Sequence, residues 1–158
     1  MVLGAGGASR AICVECALAQ AESITVVNIA REQGEELVRL LNEKTKAKAD
    51  FIFWNEPVSV KPNIDILVNA TSLGLYPNTH EKPPINYDSV TGDMVVCDVI
   101  FNDPNTIFLA EAKKRGTKTI NGLGMLVNQG ALNFTLWTGV EAPKNIMIQT
   151  LKHEFNLA

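Results

Sequence analysis

Residues 2–10 of the chain read VLGAGGASR, with only Met1, Val2 and Leu3 ahead of the glycines Gly4, Gly6 and Gly7. An apolar strand that turns on glycines into a helix offers an anion free backbone N–H groups and the positive end of a helix dipole. In the G-x-G-x-x-G pattern Gly4 can make the tight turn and Gly6 leaves no side chain where a ligand passes. The third position, usually Gly or Ala, is Ser9. Alone, the pattern is shared with methyltransferases and with plain loops. Its context here is a helix pattern over 8–21 and then a strand over 24–29, which ends where a ribose-reading residue belongs, and this context points to a dinucleotide.

Working outward from the turn, short β-branched runs without alternation at 24–29, 64–69, 94–99 and 117–120 read as parallel strands buried on both faces. A further strand is expected at 51–54. Helix patterns separate them. Residues 32–43 place Leu37, Leu40 and Leu41 on one face, and 106–115 stop at Gly116. Residues 122–137 and 143–155 read as two closing helices, with Pro143 in a first turn and Leu151 and Phe155 on an apolar face. The alternation predicts an α/β fold: a Rossmann-type, doubly wound, mainly parallel sheet with helices on both faces, forming one domain over residues 1–158. The proline-rich segment 77–88 is expected to be a loop.

Composition narrows the function. Of 158 residues, 46% are hydrophobic and 20% charged, which suits a single buried core. The net charge of -3 and the lack of a basic stripe argue against nucleic acid. Lys44, Lys46 and Lys48 read as the solvated end of a helix. No apolar run approaches the ~20 residues of a membrane span, and no signal peptide opens the chain, so no membrane partner and a cytoplasmic location are expected. Three cysteines, Cys13, Cys16 and Cys97, suit free thiols in a reducing compartment.

The ribose-reading position holds Asn28 rather than Asp or Glu. Arg31 could reach a 2′-phosphate if its loop turns inward, whereas Ile29 and Ala30 bring no charge and Gln33 only a neutral amide. The residues therefore leave NADP or NAD open as the cofactor.

With VLGAGGASRA at 2–11, NATSLGL at 69–75, CDVIFN at 97–102 and TINGLGMLVNQGALNFTLWTG at 119–139, the chain resembles the shikimate/quinate dehydrogenase family. The likeness is to that family's C-terminal, NAD(P)-binding half only. It implies reversible NAD(P)-dependent reduction of 3-dehydroshikimate to shikimate in aromatic amino acid biosynthesis. It also implies an N-terminal substrate domain, carrying a Lys–Asp proton-handling pair, that lies outside this chain; the chain alone is then expected to be inactive and to hold no catalytic residue. Carried over by position, Gly4, Ala5, Gly6, Gly7, Ala8 and Ser9 would bind pyrophosphate, and Asn28, Ile29, Ala30 and Arg31 the adenosine ribose. Asn69, Ala70, Thr71 and Ser72 would border the nicotinamide half, with Val99, Gly122 and Met125 near its ring. Phe101 and Gln129 would meet the small-molecule substrate. Two departures stand out: Phe101 where many members carry Tyr, and Asn28, Ile29, Ala30 and Gln33 where NADP-dependent members carry Asn-Arg-Thr and a further Arg or Lys. The second moves the expectation toward NAD or dual use. A homodimer stays open, and the competing class is a stand-alone dinucleotide-binding module or sensor.

Several residues carry plain structural readings beside functional ones. Cys13 and Cys16 form C-x-x-C, but inside a helix pattern and without a second pair, so helix packing is expected and no metal. Asp98 could be catalytic or could cap the turn after its strand. Asn69 and Thr71 could stabilise a strand-end turn, Met125 and Leu126 could be packing residues, and His80 is expected to be solvated.

Overall fold

The structure is a computed structural model and describes residues 1–155 and Leu157. Along the chain lie β1 (Val2–Leu3), α1 (Gly7–Leu18), β2 (Ser23–Asn28), α2 (Arg31–Lys44), β3 (Lys48–Phe53), β4 (Val58–Ser59) and β5 (Ile66–Asn69). They are followed by β6 (Ile85–Asn86), β7 (Val95–Asp98), α3 (Ile107–Lys113), β8 (Lys118–Ile120), α4 (Leu123–Thr138) and α5 (Lys144–Glu154). Six strands form one parallel sheet in the order β3-β2-β1-β5-β7-β8. The order reverses direction at β1, the switch point of a doubly wound sheet.

Burial on both faces explains the apolar strands. Leu3, Val27, Leu67 and Val96 enter a core with Phe108 and Leu109 of α3, while Val2, Val26 and Val68 enter a second core with Cys13 of α1 and Leu37 and Leu41 of α2. Successive residues of one strand thus serve opposite cores, so no position is left for a polar alternation. The two-residue β1 suffices because both its edges are paired, Val2 facing Val26 on one side and Val68 on the other.

Three expectations change. β3 begins at Lys48, earlier than 51, because Lys48 to Phe53 pair along the whole of β2. Lys48 therefore opens a strand, and Lys44 alone of the three lysines ends a helix. The segment 77–88 is not only loop: β6 pairs with β4 in a second, two-stranded sheet, and a 3-10 turn covers Tyr87–Ser89. The Ser89 hydroxyl accepts from Val60 N at 2.7 Å and the Trp54 indole donates to Pro84 O at 3.2 Å, which pins this layer over the β3 end.

The closing helices form as expected, with Pro143 at the cap of α5, but they cover little. α4 buries Val127 and Ala131, and α5 has no fully buried residue; the two pack against each other. Leu151 and Phe155 are only half-buried.

Candidate functional site

At the carboxyl rim of the sheet the glycine turn is built by close backbone approach. Gly4 donates to Val27 O at 2.7 Å, and Ala70 donates to Leu3 O at 2.9 Å, so the parallel ladder runs on past the end of β1. Gly4 has φ +104°, and a Cβ there would lie 2.8 Å from Ala70 O. Only glycine fits. Ser9 is fully buried and its hydroxyl donates to Gly4 O at 2.6 Å, a reason for serine at the third motif position: it ties the first turn of α1 back to the loop.

The start of α1 is left open. Its cap residue is Gly6, no side chain caps it, and Gly6, Gly7 and Ala8 are exposed. A Cβ on Gly6 would meet nothing within 4 Å. Uncapped first-turn amides with clear space above them are what a diphosphate requires, so the residues present fit a dinucleotide.

A cleft of about 820 Å³ runs along this rim, within the usual range for small-ligand sites. It brings together seven of the expected residues: Gly4, Gly6, Asn28, Ile29, Ala30, Thr71 and Ser72. Ala5 and Ser9 are buried beneath the turn, and Gly7 and Ala8 sit on the exposed first helical turn. Arg31 does not line the cleft; its guanidinium lies 3.2 Å from Glu35 and 4.6 Å above the Phe53 ring. Val99, Phe101, Gly122, Met125 and Gln129 lie outside the cleft, on the β7 end and α4. There Gly122 packs against backbone, a Cβ on it falling 2.6 Å from Val99 O and closer still to Ile100 O. Met125 and Phe101 are partly exposed and Leu126 is half-buried.

Sequence reasoning missed other lining residues of the cleft, among them Trp54, Glu56, Leu73 and Lys82. The available signal was Trp54 itself, an aromatic at the carboxyl end of a strand. What brings the segment around Lys82 and Pro84 beneath it is the β4–β6 pairing, which has no periodic signature.

Below the cleft a buried network fixes the 69–73 turn. Asn69 Nδ2 donates to Asp98 Oδ1 at 3.0 Å and to Leu73 O at 3.3 Å, while its Oδ1 accepts from Thr71 N and, at 2.7 Å, from the Thr71 hydroxyl. Asp98 Oδ1 also accepts from Ile100 N, and Oδ2 accepts from the Thr106 hydroxyl at 2.7 Å. Of the two readings of Asp98, the turn-capping one describes these bonds. Burial raises its carboxyl above the usual range, opposed by the bonds from Thr106, Ile100 and Asn69. Asn69 and Thr71 likewise stabilise the strand-end turn.

Cys13 is buried in α1 and its thiol is pushed up to about 11, chiefly by burial. His80 is exposed. Among the described residues no group of three or more His, Cys, Asp or Glu could hold a metal, and no helix is long and apolar enough to cross a membrane.

Sheet order, switch point and glycine turn define a Rossmann-type α/β domain with an open anion cradle at its rim. Residues 122–152 match the model of the shikimate 5'-dehydrogenase C-terminal domain. The chain is 45% identical over 147 residues to the shikimate dehydrogenase (NADP(+)) of Methanococcus aeolicus, covering 93% of this chain and 52% of that protein. Among solved structures it resembles the ligand-free 5-ketofructose reductase of Gluconobacter sp. strain CHM43, with 46% identity and TM-score 0.87 over 98% of this chain and 55% of that one. It also resembles the Listeria monocytogenes shikimate 5-dehydrogenase in complex with shikimate and NAD, with 30% identity and TM-score 0.82 over 95% of this chain and 54% of that one. Over more than nine-tenths of its own length the chain resembles shikimate dehydrogenases, with residues 122–152 matching the model of their C-terminal domain, and it spans about half the length of the curated relatives it matches.

Proposed function

We propose that the chain is the cofactor-holding domain of an NAD(P)-dependent shikimate or quinate dehydrogenase of aromatic amino acid biosynthesis, working in the cytoplasm. The observation that carries this is the uncapped start of α1 beside Gly4 and Gly6, at the switch point of the sheet. Amides of the first turn of α1 receive the pyrophosphate. Asn28, Ile29 and Ala30 border the adenosine ribose, and the 69–72 turn, held by Asp98, borders the nicotinamide half. When bound, the dinucleotide supplies the hydride-transferring carbon; this domain fixes its distance and angle to the carbonyl. Val99, Gly122 and Met125 border the ring, and Phe101 and Gln129 meet the substrate, the Gln129 amide being suited to a hydroxyl.

The substrate-binding half is supplied by polypeptide outside these 158 residues. Half coverage of the relatives supports this, and so does the apolar α4–α5 face, where Leu136 is 78% and Trp137 81% exposed beside Val140 and Ile146. A face of this kind marks an interaction site.

The test is thermal unfolding of the 158-residue chain with NAD and with NADP. A ligand selective for the native state raises the midpoint by mass action, and we expect at least one dinucleotide to do so while the chain alone oxidises no shikimate. No shift from either, or turnover by the chain alone, overturns the proposal. The likeness to 5-ketofructose reductase favours a second reading, reduction of an open-chain or cyclic sugar ketone. Assay of the domain joined to its substrate half, with shikimate and 5-ketofructose side by side, separates the two.

A further inference from the structure

We infer that the adenosine end of the cleft selects an unphosphorylated ribose, so that this chain takes NAD in preference to NADP; this rests on the dinucleotide reading above. Asn28, at the end of β2, lines the cleft and is only 8% exposed. Its Nδ2 is committed to Ala30 O at 2.9 Å, and among the described residues no donor reaches its Oδ1. That leaves a pocket-wall acceptor, which suits the hydrogen of a 2′-hydroxyl and, with its amide nitrogen occupied, offers a phosphate oxygen no donor.

The neighbouring charges point the same way. Ile29 is 73% exposed at the wall, and Ala30 and Gln33 are neutral. The charged lining consists of the carboxylates of Glu56 and Glu81 against one ammonium, Lys82. Lys82 Nζ is already 3.9 Å from Glu111 and 4.5 Å above the Tyr87 ring. Arg31, the nearest guanidinium in sequence, is shared between Glu35 and Phe53, with Glu32 beside it. A 2′-phosphate brings close to two negative charges and is bound well by a guanidinium fork, which this wall does not present. This departs from the NADP(+) in the names of the curated relatives.

Exposed ion pairs are weak, so Arg31 could swing free, and the test must include it. Isothermal titration with NAD and NADP is carried out on the wild-type chain, Ile29→Arg and Arg31→Ala. The wild type should bind NAD at least tenfold more tightly. Ile29→Arg should shift the NADP-to-NAD affinity ratio tenfold or more toward NADP, and Arg31→Ala should leave that ratio within threefold. Equal or tighter NADP binding by the wild type, or a selective loss of NADP in Arg31→Ala, overturns the inference while leaving dinucleotide binding intact. Heat from neither ligand overturns the underlying reading as well.

Discussion

Gly4 and Gly6 stand two residues apart in one motif, yet they do different work. Gly4 lies at φ +104° with Ala70 O in the space a Cβ would take. Gly4→Ala therefore combines backbone strain with a steric clash, and a loss of about 1–3 kcal/mol is expected in urea unfolding. Gly6 has φ −74° and ψ −170°, which any residue adopts, and open space around it. Gly6→Ala should cost about 1 kcal/mol or less, the difference between glycine and alanine at a helix cap, but should weaken dinucleotide binding by placing a methyl group in the cradle. Equal losses of stability in the two variants would contradict this division. Ser9 shows why the motif tolerates a departure: its bond to Gly4 O replaces close helix packing by a direct tie.

Thr106 links three elements at once. Its hydroxyl donates to Asp98 at the end of β7 and accepts from Leu109 N at the start of α3, and Asp98 in turn holds Asn69 at the end of β5. Thr106→Val keeps the shape, removes the helix cap and leaves a buried carboxylate oxygen without its donor; about 1–3 kcal/mol should be lost at pH 7. A protonated Asp98 needs that donor less. Its carboxyl is already raised by burial, so the deficit should shrink when urea midpoints are compared at pH 4. The alternating elements were legible because each strand is an apolar run buried on both faces and each helix has one packed face. The β4–β6 layer was not, since a two-residue bridge has no period and is positioned by distant partners such as Trp54 with Pro84 and Val60 with Ser89. For the same reason the glycine turn of the cleft was visible in the sequence and the lining by Trp54 and Lys82 was not. Asp98 was left between two roles, because a strand-end carboxylate looks alike in both until its donors are seen.

For the molecule as a whole, buried groups set an alkaline limit. Cys13 is raised from an ordinary 9.0 to about 11, and Tyr87 is raised as well, chiefly by burial with Glu111 and Asp98 adding to it. The native state holds both protons more tightly than the unfolded chain does. Their contribution is thus complete below about pH 9 and is lost as pH climbs, with Cys13 accounting for about 2 kcal/mol by pH 11. Urea midpoints measured from pH 8 to 11 should fall, and Cys13→Ala should flatten that decline; an unchanged slope would count against it. The short β1 has a consequence of another kind. It is the keystone between two leaves, β2–β3 and β5–β7–β8, which among the described residues have no other strand-to-strand seam. Its second flank cannot close until residue 69 has been synthesised. Residues 2 and 3 stay unpaired on that side while the ribosome delivers their far neighbour, so the two leaves join only after β5 has been made.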